Sequence, residues 1–204
     1  MTPLVDVLQA LDLAPALEEN INKFMALFQR WNRHINLSAA RNEHELRSQV
    51  IDSLHVVPHL RAEAAASSSS PSPMRVIDVG AGGGLPAVLV AISLPAAHIT
   101  ALEPVHKKHA FLRTAARELS LANLEPRAER VEDHPLPHAY DAALSRATFD
   151  LRAWLLLGHD LVRPGGLVLG FEALPRADLP PDTQHHAYQL DGKLRSIVTR
   201  RRPA

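Results

Sequence analysis

The chain has 204 residues and 22.4 kDa, with 22 Lys plus Arg against 22 Asp plus Glu, so its formal net charge is zero and no global field marks it as a nucleic-acid binder. There is no cysteine, which excludes disulfides, thiolate metal sites and thiol catalysis. Met1 is followed by Thr2, Pro3 and Asp6 without a basic or long apolar stretch, and no run reaches a membrane span, so neither a signal peptide nor a membrane location is expected.

The first sixty residues read as helical. Leu17, Ile21, Phe24, Met25, Leu27, Phe28, Trp31 and Ile35 recur at spacings of three and four, predicting one apolar helix face from Leu17 to Leu37. Leu46, Val50, Ile51, Leu54, Val57 and Leu60 form a second helical pattern. The segment 62–73 (AEAAASSSSPSP) has the composition of a flexible connection. It divides an N-terminal helical region, 1–61, from a main domain, 74–204.

After it strands alternate with helices. Strands are predicted at Arg75–Val79, His98–Glu103, Leu124–Ala128, Tyr140–Leu144 and Leu167–Phe171. Helices are predicted at Pro86–Leu94, His106–Leu119 and Leu151–Leu161, the last closed by Arg163-Pro164-Gly165-Gly166. This rhythm indicates βαβ units and a mostly parallel sheet. His185–Leu190 and Lys193–Thr199 flank Asp191-Gly192, a hairpin signal. The expectation is an α/β, Rossmann-like, seven-stranded and mostly parallel sheet ending in an antiparallel hairpin, with an N-terminal helical cap. That shape is similar to the class I fold of methyltransferases that use S-adenosylmethionine (SAM).

The segment from Val76 to Gly84 (VIDVGAGGG) carries the chemistry. A dinucleotide fingerprint would need Gly at position 85, where Leu85 stands, and no P-loop Lys follows. Glycines at 80, 82 and 84 allow a sharp turn and a close approach by a ligand, and the helix start behind them favours an anionic group. Asp78 can accept from an amino group or hydroxyl. Glu103, at the end of the second strand, is placed to read a ribose diol.

The sequence resembles the ribosomal RNA small subunit methyltransferase G family, also called glucose-inhibited division protein B. The matching pieces are Trp31-Asn32, Asn36-Leu37, Ile51-Asp52-Ser53-Leu54, Asp78 to Pro86, Lys107-Lys108, Phe111-Leu112, Leu121 with Asn123, Arg130-Val131-Glu132 and Ser145-Arg146-Ala147. The resemblance implies SAM-dependent methylation of a guanine N7 in 16S ribosomal RNA, with that RNA or the small ribosomal subunit as partner; a monomer in the cytoplasm is the default expectation. It puts the cofactor contacts on Gly80, Leu85, Val131, Glu132 and Arg146, and an RNA contact on Lys107 and Lys108. Arg146 is expected to face the reacting centre rather than serve a structural ion pair. Guanine N7 carries a lone pair and no proton, so no general base is expected and no catalytic side chain is named.

Departures from the family pattern are Ser48-Gln49, Glu172-Ala173 and Ala87. The first two remove positive charge from the expected RNA face, and Glu172 reverses it. Two rival readings follow: the same fold acting on another acceptor, or a non-catalytic RNA- or ribosome-binding module that retains SAM. Arg200-Arg201-Arg202 is a phosphate-binding tail or a solubilising run. The histidines, including His106 with His109 and adjacent His185 and His186, lack zinc-helix spacing, and no metal is expected.

Overall fold

A computed structural model describes residues 3–66 and 72–203. Four helices come first: α1 (Leu4–Ala10), α2 (Leu17–Asn32), α3 (Glu43–Leu54) and α4 (Val57–Ala66). The α/β part follows as β1 (Arg75–Val79), α5 (Ala87–Ser93), β2 (His98–Leu102), α6 (His106–Glu118), β3 (Leu124–Arg127), β4 (Tyr140–Ser145), α7 (Leu151–Leu161) and β5 (Val162–Glu172). The hairpin β6 (Gln184–Leu190) and β7 (Lys193–Arg201) ends it.

The seven strands form one sheet in the order β3-β2-β1-β4-β5-β7-β6. The first five strands pair in parallel, and β7 joins β5 and β6 antiparallel. Asp191 and Gly192 both have positive φ, 50° and 71°, as a two-residue primed turn requires.

Side-chain alternation divides the sheet's two faces. Val76, Ala142, Leu144, Leu167, Leu169 and Ile197 pack into one core with the apolar faces of α1 to α6. Ile77, Val79, Ala143, Val168 and Val198 pack on the other side with Leu151, Trp154 and Leu155 of α7. The N-terminal helices therefore share the sheet's own core. Within it the Phe111 ring of α6 meets Phe24, Phe28 and Trp31 of α2 at centroid distances of 6.3, 5.7 and 5.6 Å.

Four local expectations are corrected. Helix α2 ends at Asn32, not Leu37, because the Asn32 side chain folds the chain back: its Oδ1 accepts from the amides of Leu37 and Ser38 at 2.8 and 3.2 Å. Its Nδ2 donates to the Ala40 carbonyl at 3.1 Å. The second helical pattern is two helices, interrupted at His55-Val56; Pro58 lacks an amide proton and would clash with the carbonyl one turn back. Residues 62–66 of the expected connection are the last turns of α4, and 67–71 lie outside the described residues. Finally, Arg163–Gly166 does not close α7. It forms an irregularity within β5, where the register against β4 slips between Tyr140 and Ala142. No helix among the described residues is long and apolar enough to cross a membrane.

Candidate functional site: a cleft at the sheet's reversal point

Strand order reverses between β1 and β4, so the loops after these strands diverge and open a crevice at their carboxyl ends. The loop after β1 is the glycine segment. Amides of Gly80 and Ala81 donate to the Leu102 carbonyl at 3.0 and 2.9 Å, which ties the loop to the end of β2. The Gly82 amide donates to Glu103 Oε2 at 2.8 Å, and Glu103 Oε1 accepts from the Val105 amide at 2.8 Å. Glu103 is thus a buried brace of the loop, with one further lone pair on each oxygen.

The glycines do different jobs. A Cβ on Gly83 would overlap the Phe28 ring, and one on Gly84 would overlap Val88. At Gly80 it would strike Thr148, whose hydroxyl donates to the Gly80 carbonyl at 3.2 Å. Only at Gly82, with φ +55°, is the space open, the nearest atom being the Gly80 carbonyl oxygen at 3.8 Å. Gly82 is therefore the glycine of this loop that has open space beside it.

Two compartments meet at Gly80 and Thr148. The larger, 340 Å³, is lined by the glycine loop with Leu85, Lys108, Arg146 and Gln49 among others. The smaller, 140 Å³, has Val79, Leu102, Pro104 and Phe149 as apolar walls and Val131 and Glu132 at its rim. Of the expected positions, Gly80, Gly82, Leu85, Arg146 and Lys108 line the first, and Gly80, Val131 and Glu132 the second. Gly84 faces the packed interior instead, and Lys107 is exposed on the first turn of α6. Sequence reasoning missed Thr148 and the wall formed by Phe28, Leu37 and Ser38, and it placed Gln49 only on the expected RNA face. The position of Thr148 directly after Ser-Arg-Ala was the available signal.

Asp78 lies fully buried beneath the loop. Its Oδ2 accepts from the Ala87 amide at 3.0 Å, so the start of α5, expected to favour an outside anion, is held by the chain's own carboxylate. Among the described residues its Oδ1 is buried without a partner. Burial pushes the Asp78 carboxyl up to about 7; the Ala87 amide and Arg146 oppose this, and the charge of Glu103 adds to it. A raised folded-state value means the folded protein binds this proton more tightly than the unfolded chain. Stability from the group is present below its ordinary value of 3.8 and is lost as pH rises towards about 7. Melting temperature is expected to fall across that window in the native chain relative to Asp78→Asn. Parallel melting curves for the two chains would refute the assignment.

Arg146 lines the cleft, and its Nε donates to Asp52 Oδ2 at 3.0 Å, so the structural ion pair that the sequence reading set aside is present. Its guanidinium also lies 5.8 Å from the Phe171 ring centre.

Three charge readings change. Glu172 is buried: Oε1 accepts from the Arg176 amide at 3.0 Å, and Oε2 lies 3.0 Å from His185 Nδ1. It fastens the loop after β5 and does not reverse charge on an open face. Ser48 donates to Asp191 Oδ2 at 2.6 Å and ties α3 to the hairpin turn. In the terminal run, Arg200 pairs with Asp182, Arg201 with Glu63, and Arg202 donates to the carbonyls of His159 and Val162, so it is not a free tail. Among the described residues no three His, Asp or Glu side chains are grouped as a metal ion would need.

Comparison with known proteins agrees with this architecture. The family model for rRNA small subunit methyltransferase G matches residues 17–193. A Burkholderia pseudomallei protein of the name ribosomal RNA small subunit methyltransferase G is 39% identical over 161 residues, which cover 76% of this chain and 66% of that one. Its Burkholderia mallei counterpart is 41% identical over 150 residues, 71% of this chain and 62% of that one. The chain thus spans somewhat less than two thirds of the length of these relatives. Among solved structures, a methyltransferase from Geobacter sulfurreducens superposes with a TM-score of 0.62 at 13% identity, covering 87% of this chain and 90% of its own. The protein TYW2 from M. jannaschii, solved in complex with AdoMet, gives 0.51 at 13% identity, over 70% of this chain and 74% of its own. These two establish the class I methyltransferase fold, and the family match over most of the chain settles the rest: the protein belongs to the rRNA small subunit methyltransferase G family.

Proposed function

We propose that this protein is a SAM-dependent methyltransferase that modifies N7 of a guanine in 16S ribosomal RNA, acting as a monomer in the cytoplasm. The observation that carries the reading is the cleft beside Gly82: open at that glycine alone, with the orphaned Asp78 Oδ1 beneath the loop and Arg146 in its wall. These features fit the cofactor. The apolar walls of the smaller compartment suit a flat base, with Val131 and Glu132 at its edge. Glu103 keeps lone pairs for ribose hydroxyls, and Arg146 carries the charge to meet a carboxylate.

Bound there, SAM supplies an electrophilic methyl group on a sulfonium. The chain's own work is positional. Guanine N7 needs no base to take a proton, so the cleft has only to exclude water and hold the lone pair in line. The side-chain oxygen of Gln49, which has no partner among the described residues and belongs to the same wall, is an acceptor for the incoming base. With Ser48 and Glu172 held in structural contacts, Gln49 is the departure that lines the cleft and so bears on a different acceptor.

RNA would approach over a local rim of cations, which a net-neutral chain needs. Arg33 and Arg41 are exposed and line a 340 Å³ cavity that shares Phe28 with the cleft. Lys107 and Lys108 flank the other side on α6. Converting Arg33 and Arg41 to Ala should weaken binding to a 16S fragment and flatten the log–log salt dependence by about 1.4, two phosphates at about 0.7 each. An unchanged slope would remove this rim from the RNA path.

A further inference from the structure

We propose that Tyr188, on the C-terminal hairpin, is a positioning residue for the cleft: through Asp52 it sets the orientation of Arg146. The inference rests on the functional reading above. Tyr188 donates its hydroxyl to Asp52 Oδ1 at 2.7 Å, and Asp52 Oδ2 accepts from Arg146 Nε at 3.0 Å. One carboxylate of α3 therefore links a side chain of β6 to the tip of β4, across three elements distant in sequence.

Both ends of the relay are held. Asp52 is 7% exposed, so its two oxygens need these donors. The His55 ring stacks on Tyr188 at 3.7 Å between centroids and 16° between planes, which fixes the phenol's approach. Burial and the Asp52 charge drive the Tyr188 hydroxyl well above its ordinary range, so it remains a donor at every working pH. On the far side Arg146 lies against Phe171. With Nε committed to Asp52, the remaining guanidinium donors are presented to the cleft in one orientation, which is what a bidentate contact with a ligand carboxylate requires.

The alternative is that Tyr188 only docks the hairpin on α3. A double-mutant cycle separates the two, read as the calorimetric dissociation constant of SAM and, in parallel, as melting temperature. Tyr188→Phe keeps the ring and its stacking and removes only the donor. It is expected to weaken SAM binding about fivefold to tenfold, since the lost hydrogen bond is to a charged group. In an Arg146→Ala background the same change should leave SAM affinity where Arg146→Ala put it. If Arg146→Ala does not fold with Asp52 unpaired, Arg146→Gln serves as the background, since its amide can donate to Asp52 but offers the ligand no cation. Equal weakening in both backgrounds, or no weakening in the native one, overturns the proposal while the functional reading stands. Absence of SAM binding by the native chain would overturn both.

Discussion

Gly82→Val is expected to fold and to bind SAM about a hundredfold more weakly than the native chain, the equivalent of about 2.8 kcal/mol. A Cβ added there meets no atom of the described residues closer than 3.8 Å, so the substitution grows into the place a ligand would take and not into the packed interior. The cost to the folded chain is conformational. A residue with φ +55° carries about 1–2 kcal/mol of strain once a Cβ is present, which lowers the melting temperature by only a few degrees. Gly82→Ala has the same strain and less bulk, and a smaller loss of affinity is expected of it. Gly83→Ala and Gly84→Ala make the contrast, since their Cβ atoms would overlap Phe28 and Val88 and their cost falls on folding. Native affinity in folded Gly82→Val would remove the glycine loop from the site.

Phe111→Ala should cost about 4 kcal/mol of stability. The ring is fully buried and sits at the centre of an aromatic cluster with Phe24, Phe28 and Trp31. Phe28 in turn backs Gly83, so the cluster also sets the wall of the cleft. Urea unfolding should move to a lower midpoint as one transition, because helices α1 to α4 and the sheet share that core. Two separate transitions, with SAM binding kept through the first, would show the N-terminal helices to be an independent cap.

The parts legible in the sequence are those governed by local rules. The β1 strand and the glycine segment follow from an apolar run and from turn chemistry, and the hairpin from Asp191-Gly192. Gly80, Gly82, Leu85, Arg146 and Lys108 do line one compartment. What could not be read depends on partners far along the chain. Glu172 reads as an exposed strand end until His185 and the Arg176 amide are brought to it. Asp78 reads as a ligand acceptor, yet one of its oxygens is taken by Ala87. Periodicity carried α2 past Asn32 because apolar spacing does not register a side chain that bonds the backbone ahead of it. Some motifs of the resemblance are structural tethers: Asn123 donates to the carbonyls of Ala91, Leu94 and Ala97 and so fixes the turn between α5 and β2.

The central claim is methyl transfer to guanine N7, and it is tested most directly by incubating the protein with labelled SAM and small ribosomal subunits from a strain lacking its own family member. Nucleoside mass spectrometry of the recovered 16S RNA should show a single new N7-methylguanosine, and none with Gly82→Val. Label on another nucleoside, or no transfer by a chain that binds SAM, would contradict the account.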